Sequence, residues 1–253
     1  MGNYFLKLAI MQPTFTPWLG YFDLIDYVDK FIFLDTVQLS RRSWQVRNKF
    51  KINQQEYIYS LPIIHQKCRT DEIISEVEIS NHIYVKDKLI KLLNRNYKKA
   101  KYYQQVNDFI MELIMFNEKY LSEYNINIIT KISEKLKLNT KIIKLSETAY
   151  QKNKSKGDMI LDICNYFHTT KYISPLGSKE YLDKVKNNFS DKNIDIYYQY
   201  YQHPIYNQIG DKFIPYLGIF DLLYNEGFEN SAKIIRSGRK YLNSNIIDFT
   251  KRS

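Results

Sequence analysis

The residues most able to do chemistry fall in four short segments of this 253-residue chain. The first, Gln12-Pro13-Thr14-Phe15-Thr16-Pro17-Trp18-Leu19-Gly20-Tyr21, joins a short apolar run to a helical pattern. A turn leading into a helix suits an anion, because free N–H groups and the macrodipole point at it. Gln12, Thr14, Trp18 and Tyr21 are its candidate ligand contacts. The second segment places Asp35 at the end of another apolar run, then Gln38, Arg41, Arg42, Trp44, Arg47 and Asn48. Arginine forks bind phosphate bidentately, and a tryptophan among them offers a stacking face. Solvated surface arginines are the competing account. The third segment carries Ser174, Gly177 and Lys179 in a turn before a helix, a second anion cradle; ordinary capping by Ser178 explains it as well. The fourth holds His203, Tyr206 and Gln208. His203 is the candidate general base, since an unperturbed imidazole titrates near neutrality. Simple packing against Pro204 is the alternative. Asp35 would orient that base or bind an amine.

Other chemistries lack support. The chain has no GxGxxG, GxxxxGK[ST], GxSxG or HExxH. His65, His82, His168 and His203 are never two to five residues apart, and Cys68 and Cys164 form no CxxC, so no metal is expected. The net charge of +10 is scattered and never reaches a basic tract. It suits a sugar nucleotide's phosphates as well as RNA. The 23 Tyr and 14 Phe are spread along the chain, as AT-rich codon usage would spread them, and do not mark an aromatic binding surface by themselves. Two cysteines fit a reducing compartment, and no signal peptide or apolar run of 18 residues is evident, so a cytoplasmic protein without a membrane span is expected.

The elements that must position these segments alternate. Residues 6–11, 30–34, 141–145, 171–173 and 194–200 read as strands. Residues 20–28, 159–167, 178–188, 216–224 and 228–235 read as helices. A hairpin is expected around Asn53-Gln54-Gln55, and a strand over residues 73–79. Residues 85–97, 102–116 and 119–138 form three further helices, whose leucine and phenylalanine stripes are core. The expectation is one α/β domain over residues 1–253: a Rossmann-like parallel sheet with a mostly helical insertion at 85–138. Strand carboxyl ends share an edge, so residues 12–21 and 35–47 should meet there, with residues 203–208 on the wall. Residues 17–25 resemble residues 215–223 (Pro-aromatic-Leu-Gly, then Phe-Asp-Leu), which two helix starts with an apolar face explain better than a repeat.

The first loop is similar to that of nucleotidyltransferases, a Thr-Phe-x-Pro turn followed by HxGH. Trp18 and Tyr21 stand where the two histidines would be, which removes the phosphate contacts and weakens any case for adenylyl transfer. The chain as a whole resembles the WbqC-like family. The matching pieces are Ile10-Met11-Gln12-Pro13, Leu19-Gly20-Tyr21-Phe22, Asp29-Lys30-Phe31, Leu34-Asp35-x-Val37-Gln38, Trp44-x-x-Arg47-Asn48, Tyr172-Ile173-Ser174 with Gly177 and Tyr181-Leu182, His203-Pro204-x-Tyr206-x-Gln208 and Phe220-Asp221-Leu222-Leu223-Tyr224-Asn225-x-Gly227. Thr36 and Pro175 depart from the pattern, where an acidic residue and a glycine are usual. The resemblance implies work in O-antigen, capsule or lipopolysaccharide biosynthesis. It suggests transfer of an aminoacyl group, glycine for some members, to a nucleotide-linked amino sugar. No cofactor is called for by the sequence. The donor would be aminoacyl-tRNA, a carrier-protein thioester, or ATP plus amino acid, with tRNA or an acyl or peptidyl carrier protein as the partner. A non-catalytic nucleotide-sugar-binding or scaffold module is the alternative, and a divergent nucleotidyltransferase the next.

Overall fold

A computed structural model of the chain describes residues 6–40, 43–64, 72–80, 82–151 and 156–244. Arg41 and Arg42 lie outside the described residues.

Five strands form the parallel part of a six-stranded sheet: β1 (Lys7–Met11), β2 (Lys30–Phe33), β7 (Lys141–Lys144), β8 (Lys171–Pro175) and β9 (Asp195–Gln199). The order is β10-β9-β8-β1-β2-β7, with β10 (Tyr241–Asn243) antiparallel at one end. The protein is thus a mixed α/β fold of the Rossmann-like kind. Its apolar runs are near-continuous because both faces are covered. Successive residues point to opposite faces, so Ala9, Phe31, Phe33 and Ile173 enter one core while Leu8, Ile10, Ile32 and Tyr172 enter the other. Each such fully buried side chain is worth about 1.5–3 kcal/mol of transfer free energy.

The first core is closed by α1 (Leu19–Tyr27), α2 (His82–Tyr97), α3 (Tyr103–Met115), α4 (Leu121–Lys135) and α8 (Ile219–Ser237). The second is closed by α5 (Lys156–Tyr166) and two short helices, α6 (Lys179–Asp183) and α7 (Lys186–Ser190). The hairpin β3 (Arg47–Ile52) and β4 (Gln55–Ser60) turns through Asn53 and Gln54, both at positive φ, and Phe50 anchors it in the first core. A further two-stranded ribbon pairs β5 (Ile63–Ile64) with β6 (Glu78–Ile79).

Two sequence expectations need correction. Residues 73–79 are not one strand: Ile74–Glu76 form a 3-10 turn, because Ile73 bridges Gln38 and Ile74 N–H bonds Val37 O. Residues 178–188 hold two short helices, not one. The two helices expected near the end are present over Ile219–Ser237 and meet at a kink at Gly227, whose φ of 67° and ψ of −176° only glycine adopts without strain. Among the described residues, no helix is long and apolar enough to cross a membrane.

The chain runs outward from β1 to β2 and β7, then returns to the other side of β1 as β8 and β9. The order of crossovers therefore reverses between β1 and β8. Open α/β sheets bind ligands outside the strand carboxyl ends at such a point.

Candidate functional site

Two adjoining cavities lie at this place. The larger, about 570 Å³, is lined by residues following three strands: Met11, Gln12 and Thr14 after β1, Leu34 after β2, and Ser174, Gly177 and Ser178 at β8. Ser40, Ser43, Trp44 and Gln45 add a fourth wall, and Tyr172 and Tyr181 the floor side of β8 and α6. The smaller, about 260 Å³, is aromatic, with Trp18, Tyr21, Trp44 and Tyr216 beside Asn48 and Lys49. Met11, Thr14 and Trp44 border both. The larger volume falls in the usual range of ligand pockets, roughly 300–1,000 Å³, and the smaller fits part of a ligand.

The first loop is held by amides brought from far along the chain. Asn48 Nδ2 donates to Phe15 O and Thr16 O at 2.7 and 2.8 Å, while its Oδ1 accepts from Lys49 N. Asn125 Nδ2 donates to Pro13 O and Gln45 O. Gln45 Nε2 donates to Gln12 Oε1, and Tyr21 OH donates to Gln12 O at 2.9 Å. Burial pushes the Tyr21 phenol well up, opposed by Thr14, so it stays a neutral donor. Trp18 caps α1 with its ring over Gly20: a Cβ at Gly20 would stand 2.3 Å from the indole. The approach is possible only because residue 20 has no side chain.

The Trp18 ring is parallel to the His203 imidazole, with centroids 6.2 Å apart, and His203 packs on Tyr216 at 4.8 Å. His203 Nδ1 lies 2.9 Å from Pro204 O, and Tyr216 N–H donates to Nε2 at 3.1 Å. A backbone carbonyl only accepts and a backbone amide only donates. The ring is therefore the neutral Nδ1–H tautomer, with both nitrogens engaged. Burial lowers its pKa, with the Pro204 contact opposing. This arrangement leaves no lone pair for a substrate proton, and it makes His203 a prop for Tyr216 behind the aromatic compartment.

Asp35 is fully buried beneath the edge. Its carboxylate accepts from Ser146 N and Ser146 Oγ, tying β2 to the segment after β7. Tyr206 OH donates to Asp221 Oδ2 at 2.7 Å. Gln208 exchanges two bonds with Ile214, closing the loop that delivers Tyr216. Gln38 is exposed and bridges Ile73. Lys179 pairs with Asp183, and Arg47 lies with its guanidinium 5.3 Å from the Trp44 ring centre. Of the sequence candidates, Gln12, Thr14, Trp18, Tyr21, Trp44, Asn48, Ser174 and Gly177 line the cavities, whereas Asp35, His203, Gln38, Arg47, Lys179, Tyr206 and Gln208 stand behind or beside them.

Sequence reasoning missed Ser43, Gln45, Lys49, Tyr172, Tyr181 and Tyr216. One signal for Tyr216 was available: the likeness of residues 215–223 to 17–25. The two segments do touch, through Ile219 N to Pro17 O, although the helices begin two positions apart in that alignment, at Leu19 and Ile219. Both carry a fully buried carboxylate. Asp23 is held by Arg239, Tyr241 and Gln199, and Asp221 by Tyr97 and Tyr206. Burial pushes Asp221 up to about 6, against the pull of those two phenols and of Lys51.

Among the described residues, no group of three His, Cys, Asp or Glu could hold a metal ion. The described wall of the larger cavity contains hydroxyls, amides and rings and no charged side chain. Lys49, in the smaller one, pairs with Glu56 at 2.9 Å.

Fold and site together define a Rossmann-like α/β protein with a two-part cleft at the crossover point of its sheet. The chain belongs to the WbqC-like protein family, whose model matches residues 12–233. It is 28% identical over 225 residues to the uncharacterized protein Rv1507c of Mycobacterium tuberculosis, covering 88% of this chain and 95% of that one. No solved structure matches the chain.

Proposed function

We propose that the cleft binds a nucleotide-linked amino sugar, and that the protein transfers an aminoacyl group, such as glycyl, to it in cytoplasmic surface-polysaccharide biosynthesis. The observation that supports binding is the chemistry of the wall. Gln12, Ser40, Ser43, Gln45, Ser174 and Ser178 offer amides and hydroxyls, and Trp44 and Tyr181 offer ring faces. A sugar needs both, because its hydroxyls seek directional partners while its C–H faces lie on aromatic rings. Ser43 Oγ and Gln45 Oε1 are buried without a partner. Filling such atoms is favourable, since an unmet buried acceptor or donor costs about 1–3 kcal/mol.

The transfer step rests on the family resemblance and on what the step requires. The amine must be neutral, the oxyanion must meet donors, and the carbonyl must be held in line. The seryl hydroxyls and amides supply donors. With His203 engaged, the amine's proton goes to solvent or to the departing donor group. A second reading, a nucleotide-sugar-binding module without turnover, is favoured by the lack of a carboxylate or imidazole among the described lining residues. Nucleotidyl transfer is disfavoured by the bulk of Trp18 and Tyr21.

Calorimetry with a UDP-linked amino sugar should show binding, and Ser43→Ala should weaken it by about 0.5–1.5 kcal/mol, the net worth of one hydrogen bond. Mass spectrometry of the sugar after incubation with aminoacyl-tRNA, a carrier-bound thioester, or ATP plus amino acid should show one aminoacyl addition. Binding without addition from any donor selects the module. Absence of binding removes both readings.

A further inference from the structure

We propose that the smaller, aromatic compartment is a nucleobase subsite, so that the nucleotide end of the ligand enters beside Trp18 and Tyr216 and the sugar end occupies the larger compartment. This rests on the sugar-nucleotide reading above and assigns the orientation within it. Three observations carry it.

The two compartments differ in kind. Four aromatic side chains dominate the smaller, whereas the larger sets serine hydroxyls and glutamine amides beside Trp44, Tyr172 and Tyr181, and they meet at Met11, Thr14 and Trp44. Rings present a stacking face to any base, whereas a hydroxylated ring needs directional partners. Trp44 and Tyr216 are 44% and 50% exposed, so two of the four aromatic residues keep a free surface.

The backbone is strained on the aromatic side. Thr16 sits at φ 41° and Tyr216 at φ 59°, the left-handed region where a β-branched or bulky residue is an outlier. Neither strain relaxes, because each is over-determined. Asn48 holds Thr16 O, and Gly218 passes so close that a Cβ there would stand 2.8 Å from that oxygen. His203 holds the Tyr216 amide. Strain kept by several independent contacts at a cavity wall marks a place whose geometry matters to a ligand.

Positive charge lies beside the smaller compartment and the shared Trp44. Lys49, ion-paired with Glu56, lines the smaller compartment, and the Arg47 guanidinium rests near the shared Trp44 with its buried Nε unpartnered. A diphosphate joining base to sugar would cross beside these cations, leaving each end in the compartment that matches it.

Calorimetry with two separate probes, UDP and glucosamine 1-phosphate, tests the orientation. Tyr216→Ala should weaken UDP by about 10- to 100-fold, the worth of one stacked base, and leave glucosamine 1-phosphate within about twofold. Tyr216→Phe, which keeps the ring, should bind UDP as the wild type does. Ser43→Ala should show the reverse preference of Tyr216→Ala. If Tyr216→Ala weakens glucosamine 1-phosphate and spares UDP, the orientation is overturned while the sugar-nucleotide reading stands. Equal weakening of both probes also overturns it. If the wild type binds neither probe nor the intact sugar nucleotide, the underlying reading fails, and this inference with it.

Discussion

With Nδ1–H given to Pro204 and Nε2 taken up by the Tyr216 amide, His203 works only as a neutral ring. Protonation would aim a second N–H at an amide that itself only donates. Burial therefore lowers the folded-state pKa, while in the unfolded chain it stays near 6.5. The sign follows. The folded form binds protons less readily, so the full contribution is present above about pH 6.5 and is lost as pH falls through the lowered folded value. The titratable groups packed on the ring are Tyr206 and Tyr216, and Asp221 lies one bond beyond Tyr206. Asp221 acts oppositely: its pKa is raised, so its ionisation costs stability as pH rises from about 4 toward 6. Comparison with a variant isolates the histidine. In urea unfolding, His203→Gln should be clearly less stable than wild type at pH 7, and the gap should narrow at pH 5. A gap independent of pH would remove the tautomer assignment. If transfer activity is found, His203→Gln should lose affinity for UDP more than turnover at saturation. A general base would show the opposite pattern, a loss of about 10²–10⁴ in rate.

At the scale of elements, α8 depends on one residue. Gly227 carries a backbone that other residues adopt only with strain, and a Cβ there would meet Gln105 Oε1 at 2.6 Å and the Tyr102 ring at 2.7 Å. Gly227→Ala should cost about 2–4 kcal/mol, combining the backbone term with displacement of α3 side chains. A loss in denaturation midpoint below about 1 kcal/mol would mean the break tolerates a side chain. This break was legible as a gap between two helical patterns, although its cause was not. The core strands were legible too, because Leu8–Ile10 and Phe31–Phe33 are apolar throughout, as two-sided burial demands. β10 was not, since Tyr241-Leu242-Asn243 is a short, part-polar edge strand whose identity comes only from pairing with β9. Residues 73–79 misled because Ile74, Val77 and Ile79 are all buried, although only Glu78–Ile79 pairs as a strand, with Ile63–Ile64. The same limit governs the site. Gln12 and Thr14 follow β1 and Ser174 lies near the carboxyl end of β8, so their edge position was readable from order along the chain. Lys49, Gln45 and Tyr216 owe theirs to hydrogen bonds across many residues, such as Gly218 N to Lys49 O, which no local pattern announces.

Across the whole molecule, the end of α8 is locked to α1. Arg239 donates to Asp23 Oδ1 at 2.7 Å and also reaches Asp26, which Arg236 holds as well. Asp23 is completely buried. Removing its cation leaves a charge satisfied only by Tyr241 and Gln199, so Arg239→Ala should cost about 3 kcal/mol, toward the low end for a broken buried pair. Asp23→Asn combined with Arg239→Ala should recover part of that loss; no recovery would show that Arg239 acts by packing alone. The cleft is likewise a product of distant chain segments. Its described walls come from residues 10–21, 34, 40, 43–49, 160, 172–181 and 216, and Gly218 and Ile219 stitch the last of these to Lys49 and Pro17. That stitching has a consequence in the order of protein synthesis. A chain still on the ribosome, made only as far as β9, has the first loop and the hairpin but no Tyr216 and no clamp across Thr16. Under the proposed function, such a chain would lack part of the site and would not sequester ligand from finished molecules. Ligand at 100 times its dissociation constant would add about 2.7 kcal/mol to the completed fold alone, so substrate supply would extend the lifetime of mature copies and leave unfinished ones to the proteases.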